Sequence, residues 1–154
     1  MSYTHPSVTS ALSYRNPIRM YHWLEEAFGF EPTLLILDAD GKLAHSEMAF
    51  GNGRIMVGTE WSDDHRSPAS IGGKNTQSVH LHLTGGIEAH YERARAAGAE
   101  IMQALAEQFY GDLTYRARDP EGHIWTFGQT VKAMTPAEWD AASGLTTTLV
   151  REPE

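Results

Sequence analysis

Apolar residues along this chain follow two alternating periods, and the order of those periods repeats. Residues 9–14 (Thr-Ser-Ala-Leu-Ser-Tyr) predict a short strand. Asn16 offers a helix cap, and Pro17 suits a first helical position. Ile18, Tyr21, Leu24 and Phe28 fall at helical spacing, which predicts an amphipathic helix over 17–28 ended by Gly29. An apolar strand follows at Leu34–Leu37, a tight turn at Asp40-Gly41, and a strand at Ala44–Phe50. Asn52-Gly53 is a second hairpin signal, with the next strand at Ile55–Gly58.

Residues 61–77 are polar and glycine-containing and read as a linker. The same order then returns. Val79, Leu81 and Leu83 alternate with His80 and His82 as in a half-buried strand. Ile87, Tyr91, Ala94 and Gly98 share a helical face, and strands follow at Ile101–Leu105 and Thr114–Arg118. Asp119-Pro120-Glu121-Gly122 fits a type I turn, and Ile124–Gly128 closes the unit. The halves align at a shift of 69 positions, with Phe28-Gly29-Phe30-Glu31 over Ala97-Gly98-Ala99-Glu100, Leu12 over Leu81 and Tyr14 over Leu83. The reading is a duplicated β-α-β-β-β unit: 8–60, a linker at 61–77, a second unit at 78–130, and a C-terminal helix and tail at 131–154, in one structural domain. Thr135-Pro136-Ala137-Glu138 is a capping box opening a helix to Ala142, ended by Gly144, with a tail from Leu145 that could be disordered or dock on a partner subunit.

Composition narrows the function classes. The chain has 154 residues, 12 basic against 20 acidic, for a net charge of −8, which is the wrong sign for a nucleic-acid footprint. No apolar run is long enough for a membrane helix, and the N-terminal Met1–Pro6 stretch carries no secretion-signal pattern. The absence of cysteine removes disulfides, thiolate catalysis and cysteine-ligated metal sites, and a cytoplasmic protein is expected.

The second half carries Ala89-His-Tyr-Glu-Arg-Ala-Arg-Ala-Ala-Gly-Ala-Glu100, Tyr110-Gly111-Asp112 and Arg118-Asp-Pro-Glu-Gly-His-Ile-Trp-Thr-Phe127. The first half carries Trp23-Leu-Glu-Glu-Ala-Phe-Gly-Phe-Glu31 and His45-Ser-Glu47. These motifs, in this order of elements, resemble the vicinal oxygen chelate superfamily, in its glyoxalase and bleomycin-resistance branch. The resemblance spans roughly residues 8–130. It implies an α+β fold of two βαβββ repeats forming a cupped mixed sheet, and a homodimer often with its cavity between subunits. Metal-dependent members hold their ligands on the first and last strands of each unit. Those positions fall here on Thr9, Ser78 and Thr126, and near Met56–Gly58. Hydroxyls are poor ligands for a divalent metal beside histidine and carboxylate, so no metal cofactor is expected.

The remaining chemistry lies in histidines, one carboxylate and aromatic rings. His80 and His82 should share the cavity face of one strand, and His45 and Glu47 that of another. Together they could bind ligand groups or form an off-pattern metal site. Glu47 could act as a general base with a raised pKa, be a counter-charge for a cation, or pair with Arg54 or Arg118. Trp61, Tyr110 and Tyr115 are expected at a cavity mouth, where rings stack on flat or cationic ligands. Trp125 and Phe127 should pack in the core, His123 should sit at the rim, and His22 and His90 should be solvent-exposed on their helices. The sequence therefore predicts metal-independent binding of a small, aromatic or cationic molecule, as in bleomycin-resistance proteins, which are also acidic, with drug sequestration (antibiotic resistance) as the implied role. The ligand-binding set is His45, Glu47, Trp61, His80, His82, Tyr110, Tyr115 and Thr126. The alternative is an enzyme of the same fold (lyase, isomerase or dioxygenase) using cavity His and Glu residues, with or without a divalent metal.

Overall fold

A computed structural model describes residues 5–151; Met1–Thr4 and the last three residues of the tail lie outside the described residues. Two βαβββ units follow one another. The first contains β1 (Thr9–Tyr14), α1 (Pro17–Phe28), β2 (Glu31–Leu37), β3 (Leu43–Phe50) and β4 (Gly53–Thr59). The second contains β5 (Val79–His82), α2 (Ile87–Ala96), β6 (Glu100–Glu107), β7 (Asp112–Arg118) and β8 (Ile124–Thr130), and α3 (Pro136–Ser143) is appended. Each unit makes one four-stranded sheet, ordered β1-β4-β3-β2 and β5-β8-β7-β6, with its first strand parallel to its last and the rest antiparallel. The fold is α+β, with two separate sheets. β2, β3, β4, β6, β7 and β8 each begin or end beyond the lengths the apolar runs predict, because ladder pairing recruits flanking polar residues.

One face of each sheet packs under the helices. Leu12, Tyr14, Met48, Ile55 and Val57 from the first sheet are buried with Met20, Leu24 and Phe28 of α1. Leu81, Tyr115, Ala117, Trp125 and Phe127 from the second are buried with Ile87 and Ala94 of α2. The two layers form one core: the Phe28 ring lies 4.7 Å from Phe127 and 5.6 Å from Trp125. Arg93 of α2 donates to the Glu25 and Glu26 carbonyls, satisfying the last turn of α1 and placing a cation at its negative end.

The Asp119–Gly122 turn fastens the units. Asp119 accepts hydrogen bonds from the Tyr14 hydroxyl (2.6 Å) and the Trp125 indole (3.0 Å). Glu121 accepts from the backbone N–H groups of Arg15 (2.6 Å) and Asn16 (2.9 Å). This corrects the expected cap: the Asn16 side chain makes no capping bond, and a carboxylate from the other unit serves the start of α1. Segment 61–77 is more than a linker. Ser67 and Pro68 are buried, Ser67 Oγ donates to Glu121 (2.7 Å), and Asn75 donates to the Gly122 carbonyl (2.9 Å). At α3, Thr135 accepts from the Glu138 N–H as its motif predicts, and Gly144 ends the helix in the left-handed region at φ 74°.

Candidate functional site

With one face of each sheet committed to the core, the other is left for chemistry. Alternation and register decide which side chains stand there. On the second sheet, His80 pairs with Thr126, Thr126 with Arg116, and Thr114 with Gly128. Arg116 Nε donates to Thr126 Oγ1 at 3.0 Å, and Gln108 donates to Thr114 Oγ1 at 3.0 Å. Gly128 leaves a gap over which side chains converge: a Cβ there would lie 3.5 Å from His80 Nε2 and Thr114 Cγ2, and 3.8 Å from Asp112 Oδ2. This face therefore gathers an imidazole, a guanidinium, a carboxylate and two hydroxyls.

The first sheet carries its own imidazole and carboxylate. Leu34 stands opposite Glu47, Ile36 opposite His45, and Glu47 opposite Met56. His45 Nε2 lies 3.0 Å from Glu47 Oε2, and Glu47 is 7% exposed. Glu47 occupies the place in its unit that Arg116 occupies in the other, because each faces the matching residue of its unit's last strand, Met56 or Thr126. The fold thus places a carboxylate in one unit where the other has a guanidinium.

The expected histidine pairs do not meet. His45 and Glu47 belong to the first sheet and His80 and His82 to the second. His80 and His82 are exposed and line a cavity of about 310 Å³ with Phe30, Phe50 and Arg54. Arg118, one expected partner of Glu47, instead donates to the Gly73 carbonyl at 2.9 Å. Among the described residues, no three His, Cys, Asp or Glu side chains gather closely enough to hold a metal ion. The register also bears on the fourth expected metal position, near Met56–Gly58. Met56 faces Ala11 as Thr126 faces His80, so Met56 is the counterpart of Thr126. Thr9, Met56, Ser78 and Thr126 offer three hydroxyls and a thioether, which do not fit a divalent cation that seeks imidazole or carboxylate.

The aromatic expectations divide. Tyr110 is half-buried and borders a cavity of about 710 Å³ between the 109–112 loop and the C-terminal segment. Tyr115 is not at a mouth. It is fully buried, because its position in β7 has the parity of Ala117 and faces the helices. Trp61 is 70% exposed and stacks on His65 of its own loop at 3.8 Å. His22 is exposed, Trp125 and Phe127 are core residues, and half-buried His123 donates to the Ser13 carbonyl at 2.9 Å.

His90 is a correction. It is half-buried in the seam between the units, with Nε2 2.8 Å from the Phe28 carbonyl and Nδ1 2.6 Å from the Tyr115 hydroxyl. A carbonyl only accepts, so Nε2 carries the proton and Nδ1 of the neutral ring accepts from Tyr115. Burial, with Arg93 nearby, holds its pKa below the ordinary histidine value of 6.5, against the opposing effect of the Phe28 bond. Arg116, Asp112 and Trp139 escaped the sequence reading. Alternation from Asp112 to Arg118 carried the signal for the first two; nothing in the local pattern marked Trp139.

The duplicated fold and its two open faces define a class, and the comparisons agree. The glyoxalase/bleomycin resistance protein/dioxygenase superfamily profile matches residues 9–127. The chain belongs to that superfamily. It is 33% identical over 107 residues to uncharacterised proteins of Mycobacterium bovis and Mycobacterium tuberculosis H37Rv; the aligned stretch covers 67% of this chain and 69% and 62% of theirs. Among solved structures it is similar to TioX from Micromonospora sp. ML1, at 32% identity and TM-score 0.67, covering 84% of this chain and 100% of that one. It shares the fold of TnmS3, an antibiotic binding protein from Streptomyces sp. CB03234, at 14% identity and TM-score 0.62, covering 84% and 98% of the two chains.

Proposed function

We propose that this protein binds a small aromatic or cationic molecule on its open sheet faces without a metal, and that it does so as a homodimer. The observation that carries the reading is the donor set. The positions that the resemblance assigns to metal carry Thr9, Ser78 and Thr126, with Met56 the counterpart of Thr126 by register, while the surrounding faces keep charged and polar side chains in fixed geometry. Glu47 supplies a counter-charge, Arg116, Thr126 and His80 supply hydrogen bonds, and the net charge of −8 draws cations from a distance. Apolar Leu34 and Ile36 beside Glu47 are 38% and 45% exposed. A second copy covering strand β2 would bury them. Sequestration of a drug in the cytoplasm is the role this reading implies, in keeping with TnmS3's printed description as an antibiotic binding protein.

The test is metal content by elemental analysis, with melting curves after chelation and after addition of Zn, Mn, Ni or Fe(II). A ligand confined to the native state raises the melting temperature by mass action. No bound metal and no shift is the expected result. Near-stoichiometric metal, or a clear upward shift, overturns metal independence. A second reading, an enzyme of the same fold, draws on the half-buried His45–Glu47 pair, whose 3.0 Å separation suits proton transfer. Chemical conversion of a bound compound would select it.

A further inference from the structure

Past residue 127 the chain leaves the part matched by the family profile, and residues 131–147 fold back as an arm over the loop before β7. Among the described residues, the arm's hydrogen bonds to the rest of the chain gather at one point. The Gly111 carbonyl accepts from the N–H groups of Val131 (2.9 Å) and Lys132 (3.0 Å). Gly111 has φ 93°, and a Cβ on it would lie 2.0 Å from the Lys132 carbonyl oxygen. Beyond that anchor the arm braces itself: the Trp139 indole donates to Thr147 Oγ1 at 2.6 Å, and the Thr147 N–H donates to Asp140 at 2.8 Å. No residue of α3 is buried. The arm is thus ordered and tethered, yet adds nothing to the core.

It forms one wall of an open cleft of about 710 Å³, lined by Phe109, Tyr110, Asp112, Met134, Trp139 and Asp140, with Lys132 also on its wall. That volume lies in the range of small-molecule sites, about 300–1,000 Å³. Asp140 is occupied by Thr147, whereas the Asp112 carboxylate accepts no hydrogen bond from any described residue. Asp112 also stands near the second sheet's face: a Cβ on Gly128 would lie 3.8 Å from its Oδ2. Rings on several sides and an unengaged carboxylate complement a flat, positively charged molecule.

We propose that the C-terminal arm builds a subsite for a planar aromatic cation, stacked on Trp139 and Tyr110 with its charge against Asp112. This rests on the small-molecule reading above and specifies it. The test is fluorescence titration of the full chain with proflavine, a planar cationic aminoacridine, against the anion acridine-9-carboxylate. The expected result is saturable proflavine binding that weakens as salt rises, and at least tenfold weaker binding of the anion. Asp112→Asn and Trp139→Ala should each weaken proflavine about tenfold, with melting curves confirming that both variants are folded. Wild-type binding that both variants leave unchanged, but that Glu47→Gln abolishes, overturns the arm subsite while the binding function stands. Failure of the wild type to bind proflavine also overturns it, and the small-molecule reading is then judged separately by the ligand panel that closes the Discussion. If Trp139→Ala also turns a dimer into a monomer, a second copy fills the cavity and the subsite fails.

Discussion

A neutral imidazole wedged between Phe28 and Tyr115 gives this protein a built-in acid limit. The folded-state pKa of His90 lies below 6.5, so between the two values the unfolded chain binds the extra proton. The contribution of His90 to stability is therefore complete above about pH 6.5 and is lost as the pH falls toward the folded value. Melting temperatures at pH 7.5 and pH 5.5 test this: wild type should lose more on acidification than His90→Gln, which cannot take up the proton. An equal loss in both contradicts it. Asp119 is the other decisive residue. Burial pushes its carboxyl above the ordinary value, while hydrogen bonds from Tyr14 and Trp125, the charge of the nearby His123 ring and the Glu121 backbone N–H counter that push. Asp119→Asn should cost about 3 kcal/mol in urea unfolding, because an amide cannot accept from all of these donors.

Among the elements, the arm is the most separable. Gly111→Ala places a methyl group on the Lys132 carbonyl, so it should free residues 131–147 while the sheets stay intact. Hydrogen exchange should accelerate in the arm alone; protection unchanged there would contradict the single-anchor account. The elements were legible where local pattern and tertiary structure agree. The 17–28 helix, the capping box at Thr135 and the repeat at a shift of 69 positions were visible because periodicity and caps are local signals. What the sequence could not show was pairing. Ladder register decides that Tyr115 faces the core and Arg116 the open side, and that His80 meets Thr126 rather than His45 and Glu47. Contacts between units were equally hidden: Glu121 serving α1, and His90 bridging the seam, join residues 105 or 106 and 62 positions apart, respectively.

At the scale of the whole molecule, four consecutive apolar residues on the outermost strand, Leu34 to Leu37, are 38–46% exposed. A long apolar edge is an invitation to pair. Ile36→Asp should leave the monomer fold intact, since the side chain is already 45% exposed, and should shift sedimentation from dimer to monomer. A wild type that sediments as a monomer would contradict the proposed subunit arrangement. The central claim, binding without metal, is tested most directly by melting the chelated protein against a panel of cationic, neutral and anionic aromatic compounds and recovering each compound afterwards. At a hundredfold excess over Kd a ligand stabilises by about 2.7 kcal/mol, which for a chain of this size is a rise of about 5–10 °C. The account predicts such a rise for flat cations, with EDTA present and the compound recovered unchanged. Stabilisation that requires added metal, or a compound recovered as product, would contradict it.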